Sequence, residues 1–278
     1  MRQVMCHGGA APAVATARQG RHIAITDVAK SYGRGRKAIP AIESVTLNIA
    51  RGEFLSILGP SGCGKSTLLM MMAGLVQPSR GTIEVAGQRV TKPLTDIGIA
   101  FQQDLLFDWR TVLGNVMIQA DMRGLDRNAT RQKARMLLER VGLKGFEDRR
   151  PWELSGGMRQ RVALCRALLH GASILLMDEP FGALDAITRE HMNTHLQNLW
   201  TGEQPTAVMV THSISEAVFL SDRVIVLSPR PGRFVFELVV DLPRPRIPAM
   251  RDSSDFVGCQ HSLREALEAP RGAGPVAP

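Results

Sequence analysis

The segment Gly59-Pro60-Ser61-Gly62-Cys63-Gly64-Lys65-Ser66-Thr67 constrains this chain more than any other, because it fits G-x-x-x-x-G-K-[ST] in a setting where that pattern has a mechanical meaning. The apolar stretch 53–58 predicts a strand before it, and residues 65–75, stopped by Pro78, predict a helix after it. Between a strand and a helix, the glycines let backbone N–H groups converge on a phosphate, and the helix N-terminus adds about half a positive charge. All nine residues of the loop therefore form a candidate ATP cradle. Lys65 is placed to reach the β- and γ-phosphates, and the Ser66 hydroxyl to ligate Mg²⁺.

The rest of the chain alternates in a way that suits such a loop. Residues 22–28, 42–49, 82–85 and 97–101 read as strands bounded by turn residues. From about 103 to 169 the character turns helical. Ala134, Leu137, Leu138 and Val141 fall at i, i+3, i+4 and i+7 before Gly142, and Met158, Val162, Cys165 and Leu169 share one face of a helix opened by Ser155. Strand–helix alternation then resumes with strands at 174–177, 207–211 and 224–227 and a helix at 187–200. An α/β core with a mostly parallel sheet and an inserted helical stretch follows. Residues 1–21, rich in Ala, Gly and Arg without periodicity, are expected to be a disordered tail. Residues 22–246 form the domain, and 247–278, rich in Pro, Arg and Ala, a second tail.

An apolar fraction of 44% is ordinary for a chain of 278 residues with a substantial core, and its longest apolar runs are far too short to cross a bilayer. Residues 1–21 do not read as a secretory signal, so a cytoplasmic protein is expected. The four cysteines are scattered and suggest neither a disulfide framework nor a zinc site. The net charge of +8 is uneven: up to Lys37 there are seven basic residues and one acid, Asp27, a balance of +6. Nucleic acid, an anionic membrane surface or a polyphosphate could use that cluster, and so could a merely solvated tail.

A second constellation is Ile174-Leu-Leu-Met-Asp178-Glu179-Pro180, an apolar strand ending in two acids. Alone it is commonplace. Beside a phosphate loop, Asp178 can hold the Mg²⁺ shell and Glu179 can act as the general base toward the attacking water. The segment Leu154-Ser155-Gly156-Gly157-Met158-Arg159-Gln160-Arg161 separates this chain from other phosphate-loop ATPases. Ser155 reads as a helix N-cap, and the two glycines bare backbone amides, which makes a second anion site. One chain cannot easily fold both sites onto the same γ-phosphate.

In these residues the sequence closely resembles the ATP-binding-cassette (ABC) family, whose signature is LSGGQ-like, and the resemblance runs from about residue 22 to 233. It implies a P-loop NTPase (RecA-like) α/β core with an antiparallel β subdomain and an inserted helical subdomain. It also implies a head-to-tail dimer, in which Ser155, Gly156 and Gly157 of one copy close over the ATP on the other copy's loop. Tyr32 matches the aromatic that stacks on adenine. Gln102 matches the glutamine that contacts Mg²⁺ and couples to a transmembrane partner. Asp185 matches the loop that speaks across the dimer, and His212 the switch histidine that bonds the γ-phosphate. With Lys65 and Glu179, His212 completes the expected catalytic set. Met158, where the pattern often has Gln, and Cys165, where a small residue is usual, remove no group from the chemistry.

The phrase Leu105-Leu106-Phe107-Asp108-Trp109-Arg110-Thr111-Val112 resembles importers of nitrate, sulfonates and taurine, and 178–186 and 228–233 point the same way. The resemblance then implies an ATPase peripheral to the cytoplasmic face of the plasma membrane, energising uptake of a small anionic solute. Its permease would be a separate chain docked near 102–109, with Leu105, Leu106, Phe107 and Trp109 lining the cleft. A periplasmic solute-binding protein would act indirectly, and no nucleic acid is expected. The alternative is a soluble cassette ATPase acting on nucleic acid or ribosomes. It would explain the basic N-terminus, but it usually brings two cassettes or long coiled-coil inserts.

Overall fold

The computed structural model describes residues 2–7, 20–33, 35–182 and 184–268. The chain forms two compact units, Met1–Leu94 with Val208–Pro278, and Thr95–Ala207. Along the chain the first unit opens with β1 (Arg2–His7), β2 (Arg21–Tyr32), β3 (Ile39–Ala50), β4 (Phe54–Leu58), α1 (Lys65–Met72), β5 (Arg80–Val85) and β6 (Gln88–Arg89). The second unit carries β7 (Ile97–Ala100), α2 (Val112–Val116), α3 (Ile118–Arg123), α4 (Arg127–Arg140), α5 (Gly156–Leu168), β8 (Ile174–Asp178) and α6 (Ala186–Glu203). The chain crosses back within β9 (Thr206–Val210) and ends with α7 (Ile214–Leu220), β10 (Arg223–Leu227), β11 (Phe234–Asp241) and α8 (Ser254–Glu268).

Two sheets shape the first unit. One is antiparallel, in the order β3-β2-β5-β6, with Ile25 opposite Leu47 and Ile23 opposite Val85. Along β3, Val45, Leu47 and Ile49 are buried while Ser44, Thr46 and Asn48 are exposed, the period-two pattern of a sheet with one wet face. The other sheet is built on β4, all five of whose residues are buried, as suits a parallel strand covered on both faces. Strand β10 runs parallel to β4, and β11 runs antiparallel to β10. Arg223 of β10 ties this sheet across its strands, bonding Glu53 at 2.7 Å and Glu237 at 2.6 Å. Burial pushes the Glu53 carboxyl above its ordinary range, and Arg223 offsets only part of that push.

In the second unit β7 and β8 pair in parallel, Ile97 opposite Ile174. Helix α5 packs on β7 and α4 on α5, with Val162, Leu164 and Cys165 of α5 and Ala134, Leu137 and Leu138 of α4 buried. Full burial pushes the Cys165 thiol up to about 12, so this cysteine is a small core hydrophobe.

Three expectations change. The stretch 103–169 is not helical from its start, because residues 101–111 are irregular and α2 begins only at Val112. Within the expected tail 1–21, Arg2–His7 is a strand that pairs in parallel with β11, from Arg2 opposite Phe236 to His7 opposite Asp241. Its hydrogen bonds come from the edge of β11 rather than from any pattern of its own. Residues 8–19 and 269–278 of the two expected tails lie outside the described residues. Within 247–278, Ser254–Glu268 forms α8, which buries Phe256, Cys259 and Leu263 at i, i+3 and i+7.

The approach to α8 is pinned by a buried cation. Arg246 is 1% exposed and donates to the carbonyls of Val218 (2.7 Å), Phe219 (3.2 Å), Ser221 (2.7 Å), Val240 (3.2 Å) and Leu242 (3.4 Å). It thereby caps the C-terminal turn of α7, whose last carbonyls have no partner within the helix. Burial, with Arg244 adding to it, brings the guanidinium down to about 9. Replacing Arg246 by Met should cost about 3 kcal/mol in urea denaturation, because several buried acceptors lose their donor at once. A loss within the error of the measurement would show that the carbonyls find other donors.

Candidate functional site

In the first unit the phosphate loop leaves β4 and enters α1 through residues in the left-handed region. Gly62 has φ 74° and Gly64 φ 100°. Gly64 is the N-cap of α1, and a Cβ there would sit 2.6 Å from Ile42 Cδ1 and 2.8 Å from the Ala41 carbonyl oxygen. Only glycine meets both demands. Lys65 is 6% exposed, and its ammonium donates to the carbonyls of Gly59 (2.9 Å) and Pro60 (3.1 Å), so the charge lies across the mouth of the loop. Burial raises the Cys63 thiol above its ordinary range, and the nearby Lys65 charge opposes that shift.

Of the sequence-derived residues in this unit, Tyr32 touches the loop and His212 follows a strand bonded to β4. Tyr32, 44% exposed at the end of β2, brings its hydroxyl within 3.3 Å of Thr67 Oγ1, leaving a ring face open beside the phosphate cradle. Its ring also lies 5.3 Å from Lys30 Nζ. His212 is exposed just past β9, where the Thr211 N–H donates to the Ile57 carbonyl of the strand that delivers the loop (3.2 Å). Around His212 the backbone is fixed by buried polar contacts. Thr211 Oγ1 donates to Glu216 Oε2 at 2.7 Å and accepts from the Ser213 N–H at 3.0 Å, and Ser213 caps α7. Thr211 and Glu216 are positioning partners that the sequence reading passes over.

The second unit gathers the other group. Strand β8 ends at Asp178, and Glu179 follows in the left-handed region at φ 45°, a conformation that a non-glycine residue holds only when its surroundings impose it. A Cβ on Gly182 would lie 3.5 Å from both Gln102 Nε2 and Glu179 Oε2, so amide and carboxylate flank the same glycine. Gln160 of α5 holds the two segments together. Its side-chain amide donates to the carbonyls of Phe101 (3.4 Å), Gln102 (3.3 Å) and Pro180.

The signature residues open α5 as expected. Ser155 is its N-cap, with Oγ accepting from the Met158 N–H at 3.3 Å, and Ser155 and Gly156 are exposed. Gly157 is buried, and a Cβ there would be 3.0 Å from Thr188 Cγ2, so the signature turn lies against the start of α6. That start is capped by Asp185, which accepts from the Thr188 N–H (2.9 Å) and hydroxyl (2.7 Å), bonds that hold its carboxyl below the usual range. Signature and Asp185 thus share one surface of this unit. Ala183, beside Asp185 in the sequence, lies outside the described residues.

The donors assigned to Mg²⁺ are a hydroxyl (Ser66), a carboxylate (Asp178) and a side-chain amide oxygen (Gln102), all hard oxygen ligands of the kind that ion takes beside substrate phosphates. Among the described residues no group of three His, Cys, Asp or Glu is placed to hold a metal by itself.

One residue of the cradle carries no chemical group that a sequence motif could flag. Gly232 exchanges hydrogen bonds with the segment under the loop, N–H to the Ala41 carbonyl and carbonyl from the Glu43 N–H, both 2.9 Å. A Cβ on Gly232 would stand 2.1 Å from the Cys63 carbonyl oxygen.

A family model described as ABC transporter matches residues 42–182. A taurine import ATP-binding protein of Burkholderia pseudomallei is 47% identical over 213 residues, 77% of this chain and 82% of that protein. A nitrate import ATP-binding protein of Synechocystis is 46% identical over 222 residues, 80% and 84% of the two chains. An uncharacterised ABC transporter ATP-binding protein of Methanocaldococcus jannaschii is 44% identical over 244 residues, 88% and 90%. Among solved structures, a bacterial ABC transporter cassette in its dimeric form superposes with a TM-score of 0.70 at 35% identity, covering 78% of this chain and 98% of that one. A dimeric post-hydrolysis state of the same cassette, bound to ADP and Pi, gives 0.66 at 32% identity over 76% and 98%.

Gly232→Ala should push the loop off its seat and weaken ATP binding by about tenfold or more, a loss of about 1.4 kcal/mol. Gly258→Ala on α8, where an added Cβ meets nothing within 4 Å, should bind as the parent does. Titration with a fluorescent ATP analogue reads both, and equal affinities would mean that the loop tolerates displacement.

Proposed function

The chain belongs to the ABC transporter family, and from that membership we propose that it is the ATP-hydrolysing subunit of an importer for a small anion of the nitrate, sulfonate or taurine kind. The carrying observation is the pairing of a complete phosphate loop at residues 59–67 with a capped LSGG turn at α5, in a chain 46–47% identical to nitrate and taurine import subunits. Among the described residues no helix is long and apolar enough to cross a membrane. From the likeness to import ATP-binding proteins, the path for the solute is assigned to a separate permease, docked at the loop 102–109 and served from outside by a solute-binding protein. The chain is peripheral to that permease on the face where ATP is supplied.

The chemistry assigned to its residues is phosphoryl transfer to water. Tyr32 stacks on the adenine. The loop's N–H groups and the Lys65 ammonium offset the charge of the β- and γ-phosphates. Ser66, Asp178 and Gln102 would hold Mg²⁺, which when bound neutralises phosphate charge. Glu179 accepts the proton of the attacking water, and His212 donates to a γ-phosphate oxygen. Glu179 sits in the left-handed region at the end of β8, a backbone conformation that its surroundings impose.

Ser155, Gly156 and Gly157 serve a second copy. With Ser155 and Gly156 exposed at the start of α5 and Gly157 buried behind them, the turn closes over the γ-phosphate held by the partner's loop, with Asp185 beside it. A γ-phosphate held by both copies favours the closed dimer. Its loss on hydrolysis removes that preference, and the dimer opens.

Glu179→Gln should keep ATP affinity, lose turnover by at least about a thousandfold and run as a dimer in ATP on size-exclusion chromatography. A monomeric, active variant would overturn the assignment. Affinity capture of the chain from its own membranes should recover a polytopic permease, and recovery of nucleic acid or ribosomes in its place would sink the importer reading.

A further inference from the structure

The irregular loop that follows Gln102 is bound to the signature helix by a set of contacts among residues other than those assigned to ATP and Mg²⁺. Asp104 Oδ2 accepts from Arg159 Nε at 2.9 Å, and the other carboxylate oxygen accepts from the Leu106 N–H at 3.3 Å. Two turns further along α5, Arg166 donates to the carbonyls of Asp104 (2.8 Å) and Leu105 (2.7 Å). Its guanidinium is partly buried, which lowers its pKa, and Asp104 opposes that shift. Leu105, gripped at its carbonyl, sits in the left-handed region at φ 46° with its side chain 51% exposed. A leucine takes that conformation only when its neighbours impose it. At its far end the loop is pinned by the fully buried Asn115, whose side chain accepts from the Phe107 N–H (2.7 Å) and donates to the Phe107 (3.0 Å) and Thr111 (3.0 Å) carbonyls.

Between these anchors stand Asp108 and Trp109, the tryptophan 72% exposed and its ring 4.7 Å from that of Phe107. A thirteen-residue α-helix is a rod of about 20 Å. Its first turn is the signature, and the strained loop is fastened to its side at Arg159 and Arg166. Packed elements of this kind shift between discrete arrangements rather than bending, so a displacement of the helix start is delivered to the loop as long as the fastening holds.

We propose that Arg159 and Arg166 are positioning residues that couple the exposed loop Leu105–Trp109 to the signature helix, so that closure of a second copy over Ser155, Gly156 and Gly157 is transmitted to the face offered to the permease. The proposal rests on the dimeric ATPase reading above. The clamp carries no part of the hydrolysis. It decides whether the loop follows α5.

The test is hydrogen exchange of residues 103–111, read by mass spectrometry with and without ATP and Mg²⁺ in a Glu179→Gln background that holds the closed dimer. With the clamp intact, ATP should change exchange in this segment by about fivefold or more, the lower end of ordinary coupling between linked sites. With Arg166→Gln the dimer should still form, as light scattering reads it, while the ATP-dependent change falls below about twofold. Arg166→Lys, which still offers a cation to the two carbonyls, should restore much of it. Asp104→Asn, at a partly exposed residue whose loss leaves the core untouched, should weaken the response in the same direction even if Arg166→Gln folds poorly. Variants that dimerise and change exchange as much as the parent would overturn the clamp alone. A Glu179→Gln parent that stays monomeric in ATP would overturn the dimer reading and the clamp with it.

Discussion

Beneath the phosphate loop three backbone segments approach so closely that no side chain fits between them. Gly64 lies against Ala41 and Ile42, Gly232 lies against Cys63, and Ile42 and Gly232 bridge to each other in parallel. Backbone against backbone is a stiff contact, since it has no rotamers to yield, and with the buried Ile42 side chain under Gly64 it seats the loop. The seating lets Lys65 be almost fully buried with its ammonium on the carbonyls of Gly59 and Pro60. A buried cation needs such acceptors, and the same oxygens hold it within reach of an incoming phosphate. Tyr32 and His212 acquire their places from the same framework. One stands beside Thr67 and the other follows a backbone bond to β4.

The second unit solves a different problem, holding acids and amides in readiness on irregular backbone. Its device is a side-chain amide. Gln160 reaches from α5 to carbonyls on both the segment after β7 and the segment after β8, so Gln102 and the Glu179–Pro180 turn take their places from one residue. Glu179 remains in a left-handed conformation that a non-glycine residue holds only when its surroundings impose it. The clusters around His212 and Asp185 work alike: a threonine and a helix cap lock the turn, and the functional side chain stays exposed.

What the sequence made legible follows from where the information lies. Loop, signature and the Asp-Glu strand end are local patterns whose chemistry is carried by consecutive residues, and the structure places each on the element expected of it. Residues 22–28, 42–49 and 174–177 were readable because β-branched and apolar residues alternate or run together between turn residues. By contrast, Gly232 matters through a neighbour, Cys63, that is remote in sequence, and Gln160 through three carbonyls on two other segments. Strand β1 is a strand because β11 presents an edge, and α8 hides three buried residues in a stretch whose composition suggests a tail. The stretch 103–111, expected to be helical, is irregular for the same reason, since the forces that hold it come from Arg159, Arg166 and Asn115 on other elements.

Charge placement connects these features to turnover. In the first unit, cations are spent in the interior on fixed acceptors: Arg223 on two glutamates, Arg246 on five carbonyls and Lys65 on the loop's own oxygens. Of these, Lys65 is the one assigned a partner that comes and goes, while Arg223 and Arg246 bond groups of the fold itself. Binding of a γ-phosphate therefore changes the electrostatics of the site without loosening the core around it. In a dimer that shares the phosphate between two copies, affinity for the closed arrangement exists only while that phosphate is attached, and a ligand can shift an equilibrium only by its difference in affinity for the two states. In the proposed dimer, cleavage of one bond becomes motion because the shared phosphate is the group whose departure alters that balance.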